Sequence, residues 1–116
     1  MKIDERSVGD VKVLDVTGQI KFTQGDEMLK DKIHSVLHQG SKKLLVNLAG
    51  VDYMDSAGLG ELVGAYTTVT RAGGKLKLLN VTKRLRDLLS ITKLLTVFET
   101  FSAEADAVSS FSSASA

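Results

Sequence analysis

The chain contains no cysteine and no proline, and aromatic residues make up 5% of it. Without cysteine there is no disulfide framework, no thiolate metal site and no cysteine nucleophile. That absence fits a cytoplasmic protein, which is the expected location. Without proline, and with so few aromatics, the chain is neither a Pro-rich linker nor a base-stacking platform. Nor does either sign of charge predominate, with 15 Lys and Arg against 14 Asp and Glu. The formal net charge is +1, which exerts no long-range pull on nucleic acid or an anionic membrane. No apolar run is long enough to cross a bilayer. The opening Met1-Lys2-Ile3-Asp4-Glu5 lacks the apolar stretch of a signal peptide. Direct binding to nucleic acid or membrane is therefore not expected.

What is present suits one domain with a single core. The chain has 116 residues, 43% of them hydrophobic, enough to build that core without staples. Lys2 to Ser7 and Val11 to Ile20 read as strands, with a hairpin turn at Val8-Gly9-Asp10. Alternation slips at Val13-Leu14, which calls for a bulge or for burial on both faces. Gly18 permits a tight bend near the end of the second strand. Thr23-Gln24-Gly25-Asp26 resembles a capping box and opens the first helix. Leu29, Ile33, Val36 and Leu37 form its apolar stripe, and Gly40 is its stop.

Lys43 to Leu48 is a short apolar run without alternation, as in a strand covered on both faces. A loop over Ala49 to Ser56 follows. From Ser56 to about Ala72, Leu59, Leu62, Val63, Tyr66 and Val69 recur at helical spacing. Gly60 and Gly64 lie on another face of that helix. Glycine costs about 1 kcal/mol against alanine inside a helix, so the pair predicts close backbone packing. Lys75 to Asn80 is a fourth strand. A short helix from Thr82 to about Ile91 turns Leu85, Leu88 and Leu89 inward and Lys83, Arg84 and Arg86 outward. Val97 to Phe101 alternates and reads as a fifth strand. Ala103 to Val108 has room for one or two helical turns, and the Ser/Ala-rich 109–116 is expected to be a disordered tail.

The order is β-β-α-β-α-β-α-β: an α/β single domain with a mixed five-stranded sheet and helices packed mainly on one face. Strands joined by helices pair in parallel through right-handed crossovers. Sites in such sheets form outside the carboxyl ends of the strands. The segments Gln19 to Thr23 and Ala49 to Ser56 meet that condition.

The stretch Val51-Asp52-Tyr53-Met54-Asp55-Ser56-Ala57-Gly58-Leu59-Gly60 leads from the third strand into the second helix. Ser and Asp are the commonest helix caps, so Asp55 or Ser56 in a capping role is the structural reading. Phosphorylation of Ser56 is the functional one. A phosphoserine carries about −1.5 to −2 charges, and a helix N-terminus tolerates an anion well. The change would then alter a docking surface without unfolding anything.

Competing chemistries fit less well. Gly58-Leu59-Gly60-Glu61-Leu62-Val63-Gly64 is glycine-rich, but a dinucleotide fingerprint glycine follows its strand at once. Asp52 and Asp55 would also repel a pyrophosphate. Met54-Asp55 precedes Ser56, not the Gly-x-Ser of a nucleophile elbow. His34 and His38 have metal-ligand spacing on the first helix, but no third ligand is evident. The basic residues at 83, 84 and 86 read as a solvated helix face.

The Asp-Ser-Ala-Gly segment at a strand–helix junction resembles the signature of STAS domains, specifically the anti-sigma factor antagonists. The resemblance extends over nearly the whole chain, including the early hairpin, Gly18, Gly73-Gly74 and the helix from Lys83 to Leu89. It implies a STAS domain over 1–108 with no catalytic activity and no cofactor or metal of its own. It implies phosphorylation of Ser56 by a partner anti-sigma factor, a serine kinase with a histidine-kinase-like ATPase fold. A PP2C-type phosphatase reverses the step. The unphosphorylated form binds the kinase and releases the sigma factor. Asp52, Tyr53, Met54, Asp55, Gly58 and Leu59, with Lys21 and Thr23 from the neighbouring loop, are the expected partner contacts. Where the family often has Gly-Glu-Leu-Asp, this chain has Gly18-Gln19-Ile20-Lys21, so partner choice is expected to be set there. The alternative within the family is a scaffold in a sensory complex that acts on no sigma factor.

Overall fold

A computed structural model describes residues 2–20 and 26–113. The elements run β1 (Lys2–Val8), β2 (Val11–Ile20), α1 (Asp26–His38), β3 (Lys43–Met54), α2 (Ser56–Arg71), β4 (Lys75–Leu79), α3 (Lys83–Ile91), β5 (Thr100–Phe101) and α4 (Glu104–Ser113). The five strands form one sheet in sequence order. β1 pairs antiparallel with β2 around Gly9-Asp10, and Gly9 supplies the positive φ of 62° at that turn. Every other pairing is parallel, as helical crossovers require.

The sheet has an apolar side under α1–α3 and another under α4. Val13 and Leu14 are both fully buried. Leu14 packs toward α1 and α2, and Val13 packs with Ala107 and Phe111 of α4. Burial on both faces therefore explains their adjacency. The backbone irregularity comes two residues later, between Asp15 and Thr17.

β3 is twice as long as its apolar run suggests, and no loop spans 49 to 55. Asp15 faces Asn47 but Thr17 faces Gly50, and Gly18 faces Val51 but Gln19 faces Tyr53. At each step β3 carries one extra residue. Each bulge shifts the side-chain parity of the strand. Leu48, Val51 and Met54 are thereby all buried in the same core, although they are three apart. Gly18 has φ of 99° at the second irregularity, where a side chain would be strained.

Two stretches in the C-terminal part of the chain also differ from expectation. β5 begins only at Thr100. Lys93, with φ of 63°, ends α3, and the N–H groups of Val97 and Phe98 turn back to the carbonyl of Leu94 at 3.0 and 3.4 Å. The ladder starts after Phe98, whose ring meets Tyr66 edge-on at 5.2 Å. Of the segment 109–116 expected to be a disordered tail, residues 109–113 belong to α4, with Phe111 buried, and 114–116 lie outside the described residues. The serines of α4 are helical because Ala107 and Phe111, four apart, reach the core side of the sheet.

Candidate functional site

β2 and β3 run in parallel up to the pair Ile20 and Met54. α2 begins directly beyond that end, so its first turn stands at the carboxyl edge of the sheet. Asp55 is its cap. It keeps an extended backbone (φ −92°, ψ 179°), and its Oδ1 accepts a hydrogen bond from the Gly58 N–H at 2.7 Å. Its carbonyl accepts from the Leu59 N–H at 2.9 Å. Ser56 is the first helical residue, and it is exposed. The two capping candidates are thus resolved. Asp55 satisfies orphan N–H groups of the first turn, and the Ser56 hydroxyl is not required for that task.

Gly58 fixes the helix start against β2. A Cβ at Gly58 would lie 2.0 Å from the Ile20 carbonyl oxygen. The helix can approach the strand end this closely only with no side chain there. Gly60 and Gly64 have no such role, because a Cβ on either would meet no atom within 4 Å. The close packing expected at those two positions is absent. Gly64 instead opens a groove of about 270 Å³ between α1 and α2, bordered by Ile33, His34, Ala65 and Thr68.

The expected partner contacts separate into two groups. Asp52 and Tyr53 are exposed, as Ser56 is, Tyr53 at 38%, and Asp55 is half-buried. Met54, Gly58 and Leu59 are buried, Met54 at 7% and Leu59 at 4%. Met54 faces the helices because of the second bulge, and Leu59 lies on the inner stripe of α2 with Leu62, Ala65 and Val69. They shape the platform and do not form its outer surface. Lys21 and Thr23, with the capping-box segment from Thr23, lie outside the described residues.

Met28 was not anticipated. It sits in the first turn of α1 and is 45% exposed. α1 starts beyond β2 as α2 starts beyond β3, so Met28 and Ser56 belong to the same edge of the sheet. The sequence signal is its position one residue before Leu29, off the apolar stripe.

The chemistry open to this edge is narrow. His34 and His38 are exposed on α1, and among the described residues no three His, Cys, Asp or Glu side chains gather as a metal site. The strongly paired carboxylates lie on β1, the hairpin turn, β2 and α4. Glu5 is held below its usual range by Lys12 (3.1 Å) and Lys32 (3.5 Å), and Asp10 by Lys43 (2.6 Å). Arg6 does the same for Asp15 (2.7 Å) and for Glu104. Ser56 stands at a helix N-terminus, with Asp55 next to it and Asp52 four residues before it in sequence. A helix N-terminus of this kind favours an anion.

Residues 2–107 match the STAS domain family model. Over 90 residues the chain is 37% identical to the anti-sigma-B factor antagonist of Bacillus subtilis strain 168, covering 78% of this chain and 80% of that relative. An anti-sigma factor antagonist from Mycobacterium paratuberculosis superposes with a TM-score of 0.82 over 95% of this chain and 92% of that one, at 21% identity. The Bacillus cell fate determinant SpoIIAA in its phosphorylated form gives 0.71 over 93% and 97%, also at 21% identity. At such identities the structural likeness speaks for the fold. No helix among the described residues is long and apolar enough to cross a membrane.

Proposed function

This chain belongs to the STAS domain family, among relatives that are anti-sigma factor antagonists, and from that premise we propose that it works by partner switching at Ser56. The unphosphorylated protein binds an anti-sigma factor that is also a serine kinase of histidine-kinase-like ATPase fold. Binding releases the sigma factor. The kinase then transfers the γ-phosphoryl group of ATP to the Ser56 hydroxyl, and the complex dissociates. A PP2C-type phosphatase hydrolyses the phosphate and restores the binding form. All of this takes place in the cytoplasm, and the chain supplies no catalytic group.

The observation that supports this reading most is the division of labour at the start of α2. Asp55 caps the helix, and Ser56 is exposed at its first position. A phosphate there meets the positive end of a helix that runs from Ser56 to Arg71. The fold can therefore carry the modification. The added charge falls beside Asp52 and Asp55, so the docking surface turns strongly acidic, and a close-fitting partner meets both bulk and repulsion.

The test is incubation of the full chain with ATP and the cognate kinase, followed by peptide mass spectrometry. One phosphate on Ser56, lost in Ser56→Ala, is expected. Phosphate at another residue, or none, overturns the assignment. A pull-down from the source cell separates the sigma-factor pathway from the scaffold alternative: recovery of a kinase–sigma pair supports the first, and recovery of a large sensory assembly supports the second.

A further inference from the structure

Among the described residues, α4 is the one helix on its face of the sheet, away from the packing of α1–α3. Its buried contribution is Ala107 and Phe111, with Val108 at the margin, against Val11, Val13, Leu45 and Leu79. Two polar clamps add to this. Glu104 accepts hydrogen bonds from Arg6 of β1. Near the other end, Lys77 of β4, 3% exposed, donates to the Ser110 hydroxyl at 2.9 Å and lies 4.7 Å from the centre of the Phe111 ring.

Each clamp has an unusual property: the sheet keeps a second partner for its cation. Arg6 also holds Asp15, with Nε to Oδ2 at 2.7 Å and Nη2 to Oδ1 at 3.2 Å. Lys77 also pairs with Glu99 at 3.1 Å. Removing one partner of a buried ion pair is costly when the other charge is left alone. Here, removal of α4 leaves neither cation alone. Asp15 is fixed further by Asn47 at 2.8 Å, and Asn47 by Asn80 at 3.1 Å, so the polar row on the sheet stays joined without α4. The helix is also reached through the short exposed link Ser102-Ala103. It can lift away without pulling another element out of the sheet.

We propose that α4 is a releasable strap: it leaves the sheet as a unit while the opposite side, built by α1–α3, remains folded. Release uncovers an apolar strip of Val11, Val13, Leu45 and Leu79, with Lys77 beside it. The face is opposite the one that carries the α2 core, and the device is independent of the Ser56 reading. Proteins open in such cooperative pieces where few apolar contacts hold an element.

The test uses the full chain and two readouts. Amide hydrogen exchange compares α4 with β3, and acetic anhydride labelling of Lys77, read by peptide mass spectrometry, reports uncovering of the amine. In the unsubstituted protein α4 amides should exchange faster than those of Leu44 to Leu48. Glu104→Gln weakens only the first clamp, so α4 exchange and Lys77 labelling should each rise about two- to fivefold, the range for a partly exposed ion pair, with β3 unchanged. Phe111→Ala should raise both by more than about tenfold, as expected for loss of a buried ring. The proposal is overturned if α4 and β3 exchange at one common rate and rise together in Glu104→Gln. It is equally overturned if Lys77 labelling in both variants stays at the unsubstituted rate.

Discussion

Asp55 and Ser56 are neighbours with different duties, and substitution separates them. Asp55→Ala removes the bond to the Gly58 N–H and should cost about 0.5–2 kcal/mol in urea unfolding, the range for a lost cap. Ser56→Ala should stay within about 0.5 kcal/mol of the unsubstituted protein, as exposed positions do. A larger loss for Ser56→Ala than for Asp55→Ala would reverse the roles. Glycines divide in the same way. Gly58→Ala brings a methyl group to 2.0 Å from the Ile20 carbonyl oxygen and should destabilise by about 1–3 kcal/mol through overpacking. Gly60→Ala and Gly64→Ala find open space and should each stabilise by about 0.5–1 kcal/mol; thermal midpoints of the three variants give the comparison. Residue type alone marked this stretch as a helix start but could not choose the cap, because Asp and Ser serve about equally well there. The choice depends on how the chain leaves β3. Nor could spacing show which glycine faces β2 and which face open space.

At the scale of elements, α1–α3 were legible because their inner leucines, isoleucine and valines keep the helical period, and Gly40 and Thr82 mark an end and a start. β3 was legible only to Leu48. Beyond it, two bulges put Val51 and Met54 on the core side at a spacing that resembles neither strand nor helix. β5 was overread because alternation from Val97 to Phe101 does not reveal that the chain first turns back to Leu94. α4 was underread because serine-rich composition hides the pair Ala107 and Phe111. This helix also gives the protein a pH dependence. Arg6 hydrogen bonds hold the Asp15 and Glu104 carboxyls below their usual range. A lowered carboxylate pKa adds stability in full above its unfolded value, about 4, and that stability is lost as pH falls through the folded value. Arg6→Met should therefore be less stable than the unsubstituted protein at pH 7, and the gap should shrink between about pH 5 and pH 2. Urea unfolding at both extremes checks this; a constant gap would contradict the assignment.

For the whole molecule, a parallel sheet with one antiparallel edge strand places the starts of α1 and α2 along a single edge. The described residues along it include the exposed Met28, Tyr53 and Ser56, and Asp55 and Gly58 set where α2 begins. Hairpin, crossovers and helix faces made this architecture readable from the chain, and the motif at Asp55-Ser56-Ala57-Gly58 made the start of α2 readable too. Side-chain exposure was less so, since Met54 and Leu59 prove to be buried while Met28 stands exposed. Because Asp55 carries the cap and Ser56 is exposed, modification of Ser56 should act on binding and leave folding alone. Ser56→Asp should accordingly keep the thermal midpoint of the unsubstituted protein while weakening association with the kinase.

The most direct measurement is a calorimetric titration of the cognate anti-sigma factor kinase with unmodified and Ser56-phosphorylated protein. Partner switching at Ser56 predicts that phosphorylation raises Kd by at least about tenfold, or about 1.4 kcal/mol, with both forms equally folded. Equal affinities for the two forms would contradict it.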